Sequence, residues 1–156
     1  MAYQKLQAGR AWQVNKSDNT DIPNIGIAGP TGATTTGSAT QLIDNNATFL
    51  TSGVKLGMIV VNTTDGTQTT VIGIENDTTL TVANNIFAVS GKNYAIYGGN
   101  QEGAVLYIGT AGNLKVTTVA GDDVTFQGVN TGTFFPVNVV KVFATGTSAD
   151  NIIALW

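Results

Sequence analysis

The sequence predicts an all-β protein. Three observations carry that reading: β-branched residues with period-two alternation recur from Leu42 onward, no long stretch places apolar residues at helical spacing, and 19 glycines punctuate the runs at short intervals. Glycine and asparagine accept the positive φ of tight turns, so their frequency between apolar runs reads as a series of short strands and turns. The expected architecture is a β-sandwich-like C-terminal domain completed by an N-terminal arm, with a small SH3-like or OB-like β-barrel inserted between them.

Residues 1–30 read as an extended arm with one short strand around Trp12 and Val14, followed by the polar run Ser17-Asp18-Asn19-Thr20-Asp21. Residues 31–38, in the stretch Gly29-Pro30-Thr31-Gly32-Ala33-Thr34-Thr35-Thr36-Gly37-Ser38, are small and of flexible composition and read as a linker. Residues 39–98 form the barrel module, with strands expected at Gln41–Asp44, Gly57–Asn62, Thr70–Ile74, Leu80–Val82 and Tyr94–Tyr97. Asp65-Gly66 between the second and third runs is a hairpin signal. Ile43, Phe49, Val54, Val60, Ile72, Leu80 and Phe87 are the expected core of this module.

Residues 99–156 are the second β domain, with runs at Ala104–Ile108, Leu114–Val119, Asp123–Phe126, Phe134–Thr145 and Asn151–Trp156. Gly112-Asn113 and Gly121-Asp122 are the turn sites expected between the first three. The last run, Ile152-Ile153-Ala154-Leu155-Trp156, is apolar enough that it must be buried in the fold or against a partner.

A chain of 156 residues buries roughly two-thirds of its unfolded surface when compact, so its core needs no staples. It has no Cys and no His. Disulfides, thiol nucleophiles and the usual neutral-pH general base are thereby removed. Only 11% of residues are charged, against roughly 25% in ordinary soluble domains, and Thr, Asn, Ser and Gly fill the difference. Such a surface stays wet yet can be buried against a neighbour without stranding a charge. Net charge is −3 with seven basic residues, which gives no footprint for a phosphate backbone, so nucleic acid is not an expected partner. No apolar run approaches the roughly 18 residues a membrane span needs, so neither a membrane nor a signal peptide is expected.

The segments Val105-Leu106-Tyr107-Ile108-Gly109-Thr110-Ala111-Gly112-Asn113-Leu114-Lys115-Val116-Thr117, Val124-Thr125-Phe126, Phe135-Pro136-Val137, Ala144-Thr145-Gly146-Thr147 and Ile153-Ala154-Leu155-Trp156 carry a resemblance, together with Ser17-Asp18-Asn19-Thr20-Asp21 upstream. In this order they resemble a family of phage virion proteins that includes the spike-base protein of gene-transfer-agent heads and capsid-associated proteins of marine and cyanobacterial phages. The resemblance covers about residues 10–24 and 104–156, and the intervening stretch reads as an insertion. It implies a structural virion protein on the outer surface of the capsid, acting as a cement or spike base, with the major capsid protein, its own copies and a spike or fibre protein as partners. A homotrimer is the expected oligomer, with a pentamer as the other ring. The alternative from a different class is a receptor- or glycan-binding adhesin module of a phage fibre or spike. Because the arm and the last block carry the resemblance, their large apolar residues Tyr3, Trp12, Val14, Phe134, Phe135, Leu155 and Trp156 are the expected interface.

No catalytic residue comes with this family, and no enzyme activity, cofactor or metal is expected. Asp18, Asp21, Asp122, Asp123 and Asp150 are the acidic residues that would have to converge to hold calcium, but they lack the spacing of a calcium loop and read as turn and strand-end carboxylates. The ten acidic residues contain no pair whose spacing selects a glycosidase dyad. Tyr3, Trp12, Tyr94, Tyr97, Tyr107 and Trp156 could stack on sugars, although aromatics in β proteins more often fill cores and interfaces. Asn46-Ala47-Thr48, Asn62-Thr63-Thr64 and Asn76-Asp77-Thr78 match a glycosylation pattern that this Asn/Thr-rich composition produces by chance.

Overall fold

The computed structural model describes residues 8–99 and 102–156. The described residues are all-β, with no helix and twelve strands: β1 (Ala11–Gln13), β2 (Asn24–Ala33), β3 (Gln41–Ile43), β4 (Ile59–Asn62), β5 (Thr67–Asn76), β6 (Thr79–Val82), β7 (Asn93–Gly98), β8 (Ala104–Thr110), β9 (Gly112–Thr118), β10 (Asp123–Val129), β11 (Thr133–Val142) and β12 (Asp150–Leu155). They form two six-stranded antiparallel sheets. The chain divides into two compact units, one of residues 1–18 with 101–156, the other of residues 19–100.

In the continuous unit the strand order is β2-β7-β4-β5-β6-β3. All five strands expected between residues 39 and 98 are present, and the Asp65-Gly66 signal marks the turn between β4 and β5, where Asn62 pairs with Thr67. Gly66 takes φ +70°, the left-handed conformation that the turn requires and that costs glycine little. Asn62, fully buried, holds this turn: its side-chain oxygen accepts from the Thr64 and Asp65 main-chain N–H groups, and its amide donates to Asp65 and to the Ile86 carbonyl. Every polar atom of a buried amide is thereby satisfied, which is the condition for burying one.

Two expectations are corrected here, and a third, the barrel, is not shown. The stretch 31–38 is not a linker, because Thr31, Gly32 and Ala33 belong to β2 and pair with Ala95, Tyr94 and Asn93. Small residues are needed there by close approach, since a Cβ on Gly32 would lie 2.6 Å from both the Asp44 carboxylate and the Tyr94 hydroxyl. Pro30 is tolerated because β2 is an edge strand with one ladder partner. What the structure shows in place of the expected barrel is a six-stranded antiparallel sheet, with one bridge, Thr36 to Ile43, joining the chain after β2 to the other edge strand, β3. Finally, the core is Leu42, Phe49, Val54, Val60, Val71, Leu80, Val82, Phe87, Tyr94 and Ile96. Ile43 is only half-buried and Ile72 is 56% exposed, so Leu42 and Val71, one residue away, take the inward positions assigned to them. A one-residue slip in a strand exchanges its faces.

In the other unit the order is β1-β12-β8-β11-β9-β10. Leu106, Ile108, Leu114, Val116, Val139, Val142, Ile152 and Ala154 are at most 1% exposed and form its core. β11 lies between β8 and β9: Thr133 to Phe135 pair with β8, Val139 pairs with both, and Lys141 and Val142 pair with β9. Pro136, which has no N–H to give to a ladder, sits where the β8 ladder shifts register between Phe135 and Val139. Gly121-Asp122 turns β9 into β10 as expected, with Gly121 N–H donating to the Thr118 carbonyl at 2.9 Å. Gly112-Asn113 does not turn a hairpin, since β8 and β9 are not neighbours and β11 lies between them. Gly112 is required for another reason, because a Cβ there would lie 2.4 Å from the Ala149 main-chain nitrogen.

The outward facing of Ile72 on β5 can be tested against a buried position on its ladder neighbour β6. Leu80→Ala, at a fully buried site, is expected to lower stability by about 2–5 kcal/mol. Ile72→Ala, at an exposed one, should stay within about 0.5 kcal/mol of the parent in urea unfolding. Equal losses would show that Ile72 points inward.

Candidate functional site

Side chains alternate across a strand, so two strands paired in register present matched rows to each side of the sheet. On β8 and β12 the even-numbered Leu106, Ile108, Ile152 and Ala154 are buried, while the odd-numbered Val105, Tyr107, Ile153 and Leu155 are half-exposed. The ladders place Gln13, Ile153, Tyr107 and Phe134 in one cross-strand row, with Ala11, Leu155 and Val105 in the next row on the same side. Phe134 is 66% exposed, and its ring packs edge-on against Tyr107 with centroids 5.3 Å apart. The outward side of the β12-β8-β11 ladder is therefore an apolar patch that carries no charged side chain in these two rows.

The expected interface residues divide between the two sides. Phe134 and Leu155 lie on the outward side. Trp12 shares the inward row with Ala154, Leu106 and Phe135. Phe135 is 7% exposed and packs on Phe126 at 4.6 Å, and Val14 is also 7% exposed. Val14 and Phe135 are corrected from interface to core-facing positions, because strand parity turns them inward, and Trp12 on the same side is half-buried. Trp156 is half-buried and tied by its main chain to the arm, its N–H donating to the Arg10 carbonyl at 3.1 Å and its carbonyl accepting from Gly9 at 2.6 Å. Its indole N–H is buried with no acceptor among the described residues. Tyr3 lies outside the described residues.

Sequence reasoning missed Val105, Tyr107 and Ile153. A signal for them was present, since Val105-Leu106-Tyr107-Ile108 and Ile152-Ile153-Ala154-Leu155 are continuous apolar runs, which in a strand means that both faces are apolar. One face fills the core and the other is left for something else to cover. At the edge of the same sheet, separated from this patch by β9, β10 is paired only with β9, and of its seven residues only Phe126 and Val129 are even half-buried. It has neither lysine nor proline, the residues that commonly blunt such an edge.

The acidic residues do other work. Asp18 accepts from the Thr145 main-chain N–H at 2.9 Å and from its hydroxyl at 2.7 Å. Asp123 accepts from the Thr117 hydroxyl at 2.6 Å, and Asp150 pairs with Lys16 at 3.5 Å. Among the described residues no three acidic side chains converge on a point. Tyr94, one of the aromatics considered for stacking on sugars, is 2% exposed and offers no open ring face.

The Thr145 main-chain N–H, and then its hydroxyl, hold the Asp18 carboxyl below its ordinary value of 3.8. A carboxyl whose folded pKa is depressed contributes stability that is complete above the unfolded value and is lost as pH falls through the folded one. Asp18→Ala should therefore melt below the parent at pH 6, and the difference should close as pH drops below about 4. A gap in melting temperature that persisted unchanged at pH 2 would mean that the carboxylate charge is not what matters.

Compared with known proteins, the chain matches no family model, no curated protein and no solved structure.

Proposed function

We propose that the chain is a structural, non-enzymatic protein of a bacteriophage virion, and that it decorates and stabilises the capsid shell through protein-protein contacts. The observation that carries this reading is the outward apolar row built from Ile153, Tyr107 and Phe134. An exposed aromatic within an uncharged apolar patch is the kind of anchor that dominates protein interfaces. Composition supports the same reading, because a surface poor in charge and rich in Thr and Asn can be covered at little desolvation cost. The residues that resemble phage virion proteins, about 10–24 and 104–156, supply β1, β8, β11 and β12, the strands that carry this patch. A trimeric ring needs a heterologous contact, so self-association is assigned to the free edge of β10 meeting a different surface of the next copy, and many weak contacts repeated on a lattice add as avidity.

Phe134→Ser is the test of the patch. Because the side chain is 66% exposed but packs edge-on against Tyr107, folding stability should fall by no more than about 1.5 kcal/mol, the worth of one aromatic pair. Affinity for undecorated capsids should fall at least tenfold, about 1.4 kcal/mol per contact. Unaltered binding by the folded variant would overturn the assignment. The oligomer is checked by light scattering, where a monodisperse species at the 16.1 kDa mass of one chain at micromolar concentration would refute the ring.

A further inference from the structure

Asp44 is 4% exposed, and among the described residues no cation pairs with it, the ion pairs there being Lys16 with Asp150 and Lys92 with Asp65. One carboxylate oxygen accepts from the Tyr94 hydroxyl at 2.8 Å and the other from the Asn46 main-chain N–H at 2.9 Å. A carboxylate has about four acceptor positions, so these two bonds leave capacity unused. The Tyr94 hydroxyl cannot supply a positive charge. Burial, and then the Asp44 carboxylate itself, push its pKa up, so it remains a neutral donor.

Asp44 and Tyr94 line a cleft of about 340 Å³ whose rim includes Thr31, Gly32, Asn46 and Thr48. Gly32 keeps this cleft open at its base, because a Cβ there would lie 2.6 Å from the carboxylate oxygen and from the tyrosine hydroxyl. A negative group removed from water is costly unless a cation or several donors replace its hydration. The cleft supplies neutral hydroxyl and amide groups around a buried negative charge. Its natural complement is a compact cation with several N–H donors on a slender stem.

We propose that this cleft is a receptor site for a primary ammonium group, with Asp44 as counter-ion and the Thr31 and Thr48 side chains as rim acceptors. Such a group arrives either on a free alkylamine or on the lysine side chain of a neighbouring protein. The proposal does not depend on the virion reading, because it rests on residues of β2, β7 and the loop after β3 and not on the outward apolar patch.

The test is a titration of the ¹⁵N-labelled full chain, at constant ionic strength, with n-butylammonium chloride, with the capped tripeptide acetyl-Gly-Lys-Gly-amide and with methyl α-glucoside. Saturable amide shifts centred on Gly32, Asn46 and Thr48 are expected with butylammonium and none with the glucoside. If the peptide shifts the same amides, the site reads lysine side chains, and if only butylammonium does, it reads free amines. Asp44→Asn keeps a side-chain acceptor for the Asn46 turn but removes the charge. It should weaken butylammonium binding at least tenfold without lowering the melting temperature. If that variant does not fold, Thr48→Ile, which narrows the rim and leaves the Asp44–Tyr94 pair intact, must show the same loss. No saturable shift with either amine, equal shifts with the glucoside, or full binding by both variants would each overturn the proposal.

Discussion

The double pairing of β12 is the constraint on which the discontinuous unit depends. β12 is bonded on one side to β8 and on the other to β1, so it joins the first described strand of the chain to the last. Its register decides which side chains become core and which face outward. With Ile152 and Ala154 turned inward, Ile153 and Leu155 must turn outward, and the ladder places Ile153 beside Tyr107 and Tyr107 beside Phe134. The apolar patch is thus a geometric consequence of forming the core from strands that are apolar on both faces.

The polar run Ser17 to Asp21 and the segment Ala144 to Thr147 are also joined physically. The Asp18 carboxylate takes both donors of Thr145, and the Ser17 N–H reaches the Val142 carbonyl at 2.9 Å. These motif residues therefore secure the arm against the segment that follows β11. An exposed, hydrogen-bonded carboxylate of this kind organises the local backbone, which accounts for an acidic residue in a turn-rich stretch without any metal.

Much of the fold was legible because strands with β-branched runs announce themselves. Thr70-Val71-Ile72 and Tyr94-Ala95-Ile96-Tyr97 could be placed without a structure. Facing was harder where two apolar residues adjoin: in Leu42-Ile43 and Val71-Ile72 either residue could point inward, and the register of the neighbouring ladder chose the first of each. β2 was illegible because Ala28 to Ala33 has a turn-like composition, and only the close approach of Tyr94 and Asp44 explains why small residues form a strand there. The candidate site was half legible: Phe134 and Leu155 stood out as large apolar residues, while Tyr107 entered only among the aromatics that could stack on sugars. The Asp44–Tyr94 bond joins residues 50 apart and leaves no local trace in the sequence.

The connectivity of the two units also sets an order of events during folding. Residues 19–100 form one uninterrupted stretch of chain that is compact in itself. The other unit needs Ala11 beside Leu155 and Gln13 beside Ile153 before its sheet is complete. Closing loops of that length is entropically slow, and contacts between the ends of a chain form late. On a ribosome the continuous unit can fold first, leaving β8 to β11 waiting for their last partner with apolar edges open. That interval is when this chain is most prone to aggregate, and assembly or chaperone capture at this stage would be timed by the emergence of β12.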